Sequence, residues 1–185
     1  MKKKEALKEI KKKSEEGLTK KEIFEELSSK VKFKSDLIQY LALVPNYEDR
    51  IKYKTLNLIL FSILMYVSMS KLIVGALLLG KVSIYALPFA LLIPLLTIYF
   101  AVMVWNFYGN MYRALGMLGI AGIFKGISAT VSIPNYSTEQ LIFDSLLSFL
   151  PGILIVLLAF YIGKKVFPYY GFFGNVKEDL LGIRA

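Results

Sequence analysis

The chain has 185 residues, of which 56% are hydrophobic, 20% are charged and none is cysteine or histidine, and its formal net charge is +9. Without these two residue types there is no disulfide scaffold, no usual ligand set for zinc, haem or iron–sulfur clusters, and no cysteine nucleophile or histidine-dependent triad. The apolar content excludes global disorder and indicates a membrane protein. We therefore predict no catalytic, cofactor-binding or metal-binding residues.

Charge density divides the chain. Up to Lys54 the sequence holds 15 basic and 10 acidic residues, whereas the remainder holds only 8 and 4. We predict an all-α, polytopic membrane protein in three parts. These are a basic cytoplasmic helical region over residues 1–54, a bundle of four transmembrane helices over residues 55–165, and an aromatic cytoplasmic tail over residues 166–185.

The first part of the chain is predicted to form short helices. Residues 2–16 are rich in good helix formers and are followed by Gly17, which is typical of a helix C-terminus. Thr19 and Glu22 have the spacing of a capping box, in which each side chain satisfies a free backbone N–H at the helix start. The sequence therefore predicts a second helix that begins just after Thr19.

A third helix and a fourth follow. Ser35 or Asp36 can cap the third helix, and Pro45 stops it. Asn46 opens the next one, and because no breaker follows we predict that this helix continues straight into the first apolar segment. The apolar residues of helices two and three are expected to share one small core that is marginal by itself. Its predicted members are Leu18, Ile23, Phe24, Leu27, Leu37, Ile38 and Leu41.

The basic region admits three interpretations. Residues 17–23 and the helix after them resemble the first half of a helix-turn-helix, which would bind DNA phosphates through lysine. A helical hairpin with a solvated lysine face explains the same residues through capping, and we favour it, so nucleic acid is not an expected partner. The lysines at positions 2–4 and 11–13 can also attract anionic lipids of the cytoplasmic leaflet.

Four apolar segments are predicted to cross the bilayer, at residues 55–79, 82–105, 112–133 and 139–163, because each supplies the roughly 20 residues that a span requires. The third contains charged residues and has two interpretations, a span and a helix lying in the headgroups. We favour the span because its apolar residues surround the helix. Small residues at its packing face would allow close helix approach, and they are Gly116, Gly119, Gly122 and Gly126.

The positive flanks predict the orientation. With four spans, the lysine-rich N-terminus, Arg113 and the pair Lys164 and Lys165 fall on one side, whereas the other side holds Lys81 and the uncharged part of the last loop. The positive-inside rule then places both termini in the cytoplasm. We expect a multi-pass protein of a cell membrane, in the style of a bacterial inner membrane.

Three ionisable residues lie inside the predicted spans: Lys71, Lys125 and Asp144. Counted from the outer ends of their helices at about 1.5 Å per residue, Lys125 and Asp144 have similar depths. A lone charge in the membrane costs about 2.5–3.5 kcal/mol even on insertion scales, and pairing would offset much of that cost. The cluster therefore predicts an ion relay or gate, or else a salt bridge that sets helix register, or simple snorkelling of the lysines.

The tail from Phe167 to Gly174 is aromatic and contains turn residues. It is expected to lie in the membrane interface, and a recognition peptide for a partner is the alternative.

No phosphate-binding glycine loop, nucleophile elbow or carboxylate pair accompanies these features. The sequence thus favours a non-enzymatic membrane protein that scaffolds or regulates a partner through its cytoplasmic helices and tail. A small homo-oligomeric transporter or channel and a membrane-tethered DNA-binding regulator are the alternatives.

Overall fold

The computed structural model describes residues 3–31, 33–131, 138–171 and 176, and it describes side chains there except at 86, 87 and 126–148. It is 83% helical and its described part contains no strand, so the all-α prediction is confirmed. In chain order the elements are α1 (Lys3–Glu15), α2 (Lys20–Leu27), α3 (Lys34–Leu43), α4 (Tyr47–Lys52), α5 (Lys54–Val82), the 3₁₀ helix η1 (Ile84–Leu92), α6 (Leu95–Trp105), α7 (Gly109–Val131) and α8 (Thr138–Val166).

The turn between α1 and α2 forms as its residues predict. Gly17 has a φ of +87°, a left-handed conformation that glycine adopts without steric cost. The backbone N–H of Thr19 donates to Glu22 Oε2 at 2.7 Å, and the N–H of Glu22 donates to Thr19 Oγ1 at 3.3 Å. The capping box is confirmed, and its donors hold the pKa of the Glu22 carboxyl below its usual range.

The predicted cap of the third helix is wrong. The N-cap residue of α3 is Phe33, in an extended conformation and without a side-chain hydrogen bond. Ser35 and Asp36 lie instead inside the first turn, where a carboxylate interacts favourably with the helix dipole. Asn46 does precede α4, but its amide donates to the Asp49 carboxylate at 3.4 Å and makes no backbone cap.

The helix that enters the bundle is not continuous. α4 ends at Lys52, Tyr53 departs from helical geometry with φ −99° and ψ 8°, and α5 begins at Lys54. The break is short, because the N–H of Tyr53 still bonds to Asp49 and the N–H of Asn57 bonds to Tyr53, both at 3.0 Å. The Tyr53 ring is buried 6.1 Å from the ring of Tyr161 on α8, a tertiary contact that local pattern does not contain.

Three helical segments are long and apolar enough to cross a membrane: Lys54–Val82, Pro88–Trp105 and Phe149–Val166. Between 22% and 28% of the 18-residue apolar window in each is buried inside the protein, so most of these residues face outward, which is compatible with contact to lipid. α7 also has 23 residues, which at about 1.5 Å per residue gives a length comparable to the hydrocarbon core.

The second apolar segment is not one continuous α-helix. Its first half is η1, which contains Pro88, and α6 begins only after Pro94. Proline has no N–H and clashes with the preceding turn, which explains why regular α-helix is confined to the second half. With 9 residues at about 2.0 Å in η1 and 11 at about 1.5 Å in α6, the two together are long enough for a bilayer core of about 30 Å.

The described side chains form two apolar cores. The bundle core draws on α5, α6, α7 and α8. The smaller N-terminal core is formed by Ile10, Ile23, Leu27, Leu37, Leu41 and Ala42. All seven residues predicted for it lie in it or pack against it, and so do Tyr169, Tyr170 and Val176 from the end of the chain.

The described aromatic residues after α8 pack back onto the protein. Phe167 is 1% exposed in the bundle core, and Tyr170 packs against both cores. A single antiparallel bridge joins Tyr170 to Val176. The two tyrosines thus pack against the N-terminal helices, which are too few to bury their own apolar faces. The position of the tail in the membrane interface stays a prediction.

Candidate interaction site at the junction of the two cores

The structure places two of the three charges predicted to lie in the spans on the outer surface of the bundle. Lys71 is exposed, and its Nζ donates to Thr97 Oγ1 of α6 at 3.2 Å. Lys125 is exposed on α7. The side chain of Asp144 lies outside the described part of the chain, so its pairing with Lys125 stays a prediction.

The interior of the bundle is apolar apart from hydrogen-bonded groups. Among the side chains that the structure describes there, none that is buried carries a formal charge. Ser68 donates to the Leu64 carbonyl of its own helix at 2.8 Å. The remaining buried polar side chains bond to one another, as described next, so the described interior offers no polar path across the bundle.

A buried group of hydrogen bonds, which we call the knot, links three helices. Tyr112 of α7 donates through its hydroxyl to Asn57 Oδ1 of α5 at 2.5 Å. The Asn57 amide donates in turn to the Val104 carbonyl near the end of α6 at 2.8 Å. This carbonyl belongs to the last turn of its helix, where the regular i to i+4 bonding ends, and it also accepts from the backbone N–H of Phe107 at 2.9 Å. Asn57 and Tyr112 are 3% and 0% exposed, so the knot is closed to solvent.

Phe167, just after the end of α8, packs against the Tyr112 ring of the knot. Its ring centroid lies 5.4 Å from that of Tyr112. A Cβ atom at Gly109 would lie 2.6 Å from Phe167 Cδ1, so the ring requires a glycine there. Sequence reasoning missed Asn57, Tyr112 and Phe167 as a group, although a lone asparagine inside an apolar segment is a signal that could have identified the first of them.

Two of the four predicted packing glycines face α8. A Cβ at Gly116 would lie 2.8 Å from the Phe160 ring, and one at Gly119 would lie 2.6 Å from Val156 Cγ2. At Gly122 no described atom lies within 4 Å, so this position is open. Gly126 lies outside the residues whose side-chain surroundings are described. The close approach of α7 to α8 thus uses the three-residue spacing of Gly116 and Gly119.

Aromatic rings after α8 attach the N-terminal helices to the bundle. Lys20 Nζ lies 5.5 Å from the centroid of the Tyr169 ring, and the Arg113 guanidinium lies 5.6 Å from that of Tyr170. Cation–π contacts of this kind are worth about 0.5–2 kcal/mol each, depending on burial. Lys20 belongs to α2 and Arg113 to α7, so the two tyrosines contact both parts of the protein.

Two clefts open beside this attachment. The first, which we call the junction cleft, lies between α1, the α3–α4 link, α4 and the α6–α7 turn. Its polar lining includes Lys11, Glu15, Tyr47, Arg50, Asn106 and Tyr108. Arg50 pairs with Glu15, and its guanidinium lies 6.0 Å from the centroid of the Phe107 ring. Phe107 has a φ of +55°, a strained conformation for a non-glycine residue that costs about 1–3 kcal/mol.

The second cleft is wider, with a volume of about 460 Å³, and is lined by residues 17–21, 46–48 and Tyr169. Burial lowers the pKa of Lys20 on its wall to about 8, although the nearby Asp49 carboxylate acts in the opposite direction.

No protein-family model, curated protein or solved structure matches this chain.

Proposed function

We propose that the protein is a non-enzymatic membrane protein with four transmembrane helices that scaffolds or regulates a partner protein through its N-terminal helices on the cytoplasmic side. The observation that carries the proposal is the attachment of a separately cored helical unit to the bundle through Phe167, Tyr169 and Tyr170. Such an attachment holds a surface in a fixed place beside the membrane, which is the requirement of a scaffold.

The four-span topology is supported by α7 and by charge. α7 is long enough to span, and its glycines pack it along α8, a helix that contains one of the apolar segments. With four spans, Arg113, Lys164 and Lys165 lie on the same side as the basic N-terminus, as the positive-inside rule requires.

The topology is tested by reporter fusions after Ala185, before Met1 and in the segment between η1 and α5. Fusions at the two ends are expected to report the cytoplasm and the fusion near Ser83 the opposite side. A C-terminal reporter on the outer side would show an odd number of spans and contradict the topology.

The partner surface is expected on the N-terminal helices, because the described aromatic residues after α8, Phe167, Tyr169 and Tyr170, already pack within the chain. Phe33 and Ile51 are 56% and 57% exposed there, so large apolar side chains are available on the surface of this unit. A photoreactive amino acid at either position should give one discrete protein adduct in intact membranes. Lys12, whose side chain is 78% exposed on the same unit, serves as the control position.

The proposal fails if neither apolar position gives an adduct and the purified protein in liposomes conducts ions. The apolar interior of the described bundle argues against transport by a single copy, so such flux would identify the oligomeric transporter instead.

A further inference from the structure

The junction cleft lies where the proposed topology places the cytoplasmic surface of the membrane. Its floor is the turn between α6 and α7, which follows directly after Trp105 at the end of an apolar segment. Its other walls come from α1, α4 and the α3–α4 link. Trp and Tyr side chains are stable at this level because they combine an apolar ring with a polar group.

The cleft has both a cationic and an apolar side. Lys11 and Arg50 carry two positive charges against the single negative charge of Glu15, so the lining has a net positive charge. Leu7, Leu43 and Phe107 form apolar wall. A lining of this composition suits an amphiphile with an anionic headgroup better than it suits a fully soluble anion.

Several donors in the cleft are unused within the described chain. Lys11, a half-buried residue, makes no ion pair there, and the hydroxyls of Tyr47 and Tyr108 donate to no described acceptor. A phosphate diester offers two charged acceptor oxygens to such donors, and charge-assisted hydrogen bonds are the strong ones.

We propose that the junction cleft binds the headgroup phosphate of an anionic glycerophospholipid from the adjoining leaflet, with Lys11, Arg50 and the hydroxyl of Tyr108 as its donors. The acyl chains leave along the outer surface of α6, where Val102 and Trp105 are exposed. The inference rests on the proposed function only through the membrane level assigned to the α6–α7 turn. A bound lipid would secure the N-terminal helices to the membrane surface at a second point besides the tail.

Trp105 is the only tryptophan of the chain and adjoins Asn106 in the cleft wall, so its fluorescence reports lipid nearby. The full-length protein in a mild detergent is titrated with phosphatidylglycerol or phosphatidylcholine that carries the same brominated acyl chains, and quenching is recorded. Both lipids present the same phosphate diester, but phosphatidylcholine adds a trimethylammonium group that the net positive lining repels. We therefore expect phosphatidylglycerol to quench at about a tenfold lower mole fraction. Lys11→Met should abolish this preference, and Tyr108→Phe should weaken it.

Lys12→Met is the matched control, since it removes the same charge from the same helix at a side chain that is 78% exposed. Equal losses in the two lysine variants would show nonspecific surface attraction and overturn the proposal. Equal quenching by both lipids would overturn it as well. If free glycerol phosphate at the same concentration displaces the lipid, the site binds a soluble anion and the lipid assignment is wrong. Detergent micelles have no sides, so these results do not depend on the topology that the reporter fusions test.

Discussion

Replacement of Tyr112 by phenylalanine tests the hydrogen-bond knot with the smallest change in volume. The substitution removes the hydroxyl that donates to Asn57 Oδ1 at 2.5 Å and leaves that oxygen without a described donor at a site where Asn57 is 3% exposed. A buried acceptor that loses its partner costs about 1–3 kcal/mol. The ring itself keeps its packing against Phe167, so this polar loss should account for the whole effect.

A double-mutant cycle separates the contribution of the Tyr112–Asn57 hydrogen bond from other effects of the substitution. Asn57→Leu removes the partner amide, and the Tyr112 hydroxyl lies 3.4 Å from the Val104 carbonyl, which it can then approach. The double variant leaves neither hydroxyl nor amide unpaired, so its destabilisation should be smaller than the sum of the two single effects by about 0.5–3 kcal/mol.

The assay is reversible unfolding in mild detergent, followed by circular dichroism, on the wild type and each variant. Tyr66→Phe is the control because it removes the same hydroxyl from a ring that is 61% exposed on α5, and it should change the free energy of unfolding by less than about 0.5 kcal/mol. If Tyr112→Phe is as mild as this control, the knot does not stabilise the bundle and the reasoning is refuted.

Two other substitutions test packing and electrostatics. Gly119→Ala should destabilise the bundle by about 1–3 kcal/mol, because the added methyl group overpacks against α8. Gly122→Ala is the control: no described atom lies within 4 Å of this position, so the substitution should be neutral or slightly stabilising. Equal effects of the two variants in thermal unfolding would contradict the assigned packing face. Lys20 has a pKa of about 8 in the folded protein against 10.5 in the unfolded chain, so the folded state binds fewer protons and wild-type stability should rise between pH 8 and 10.5. At pH 7, Lys20→Met should gain at most about 3 kcal/mol from the removed burial of the charge, less where solvent screens the amine, and should lose about 0.5–2 kcal/mol with the Tyr169 contact. The stability of Lys20→Met relative to wild type should fall above pH 8. Lys21→Met, an exposed neighbour, should show no such pH dependence in the same denaturation series.

Local chemistry was sufficient for the features that depend on a few neighbouring residues. The turn at Gly17 and the capping box of Thr19 and Glu22 follow from backbone sterics and from free N–H groups at a helix start, so the sequence predicts them without knowledge of the fold. The helical character of the apolar segments follows equally directly, since a backbone in lipid must satisfy its own hydrogen bonds.

Only the tertiary structure decided how these helices are joined. The break at Tyr53 accompanies ring burial against α8, and the aromatic residues after α8 turn back onto helices more than a hundred positions earlier in the chain. The knot of Asn57 with Tyr112 and the choice of Gly116 and Gly119 as the close face likewise depend on which helices become neighbours. Hydrophobic burial is not directional, so a sequence shows which surfaces must be covered, whereas the complementary shapes of distant segments determine what covers them.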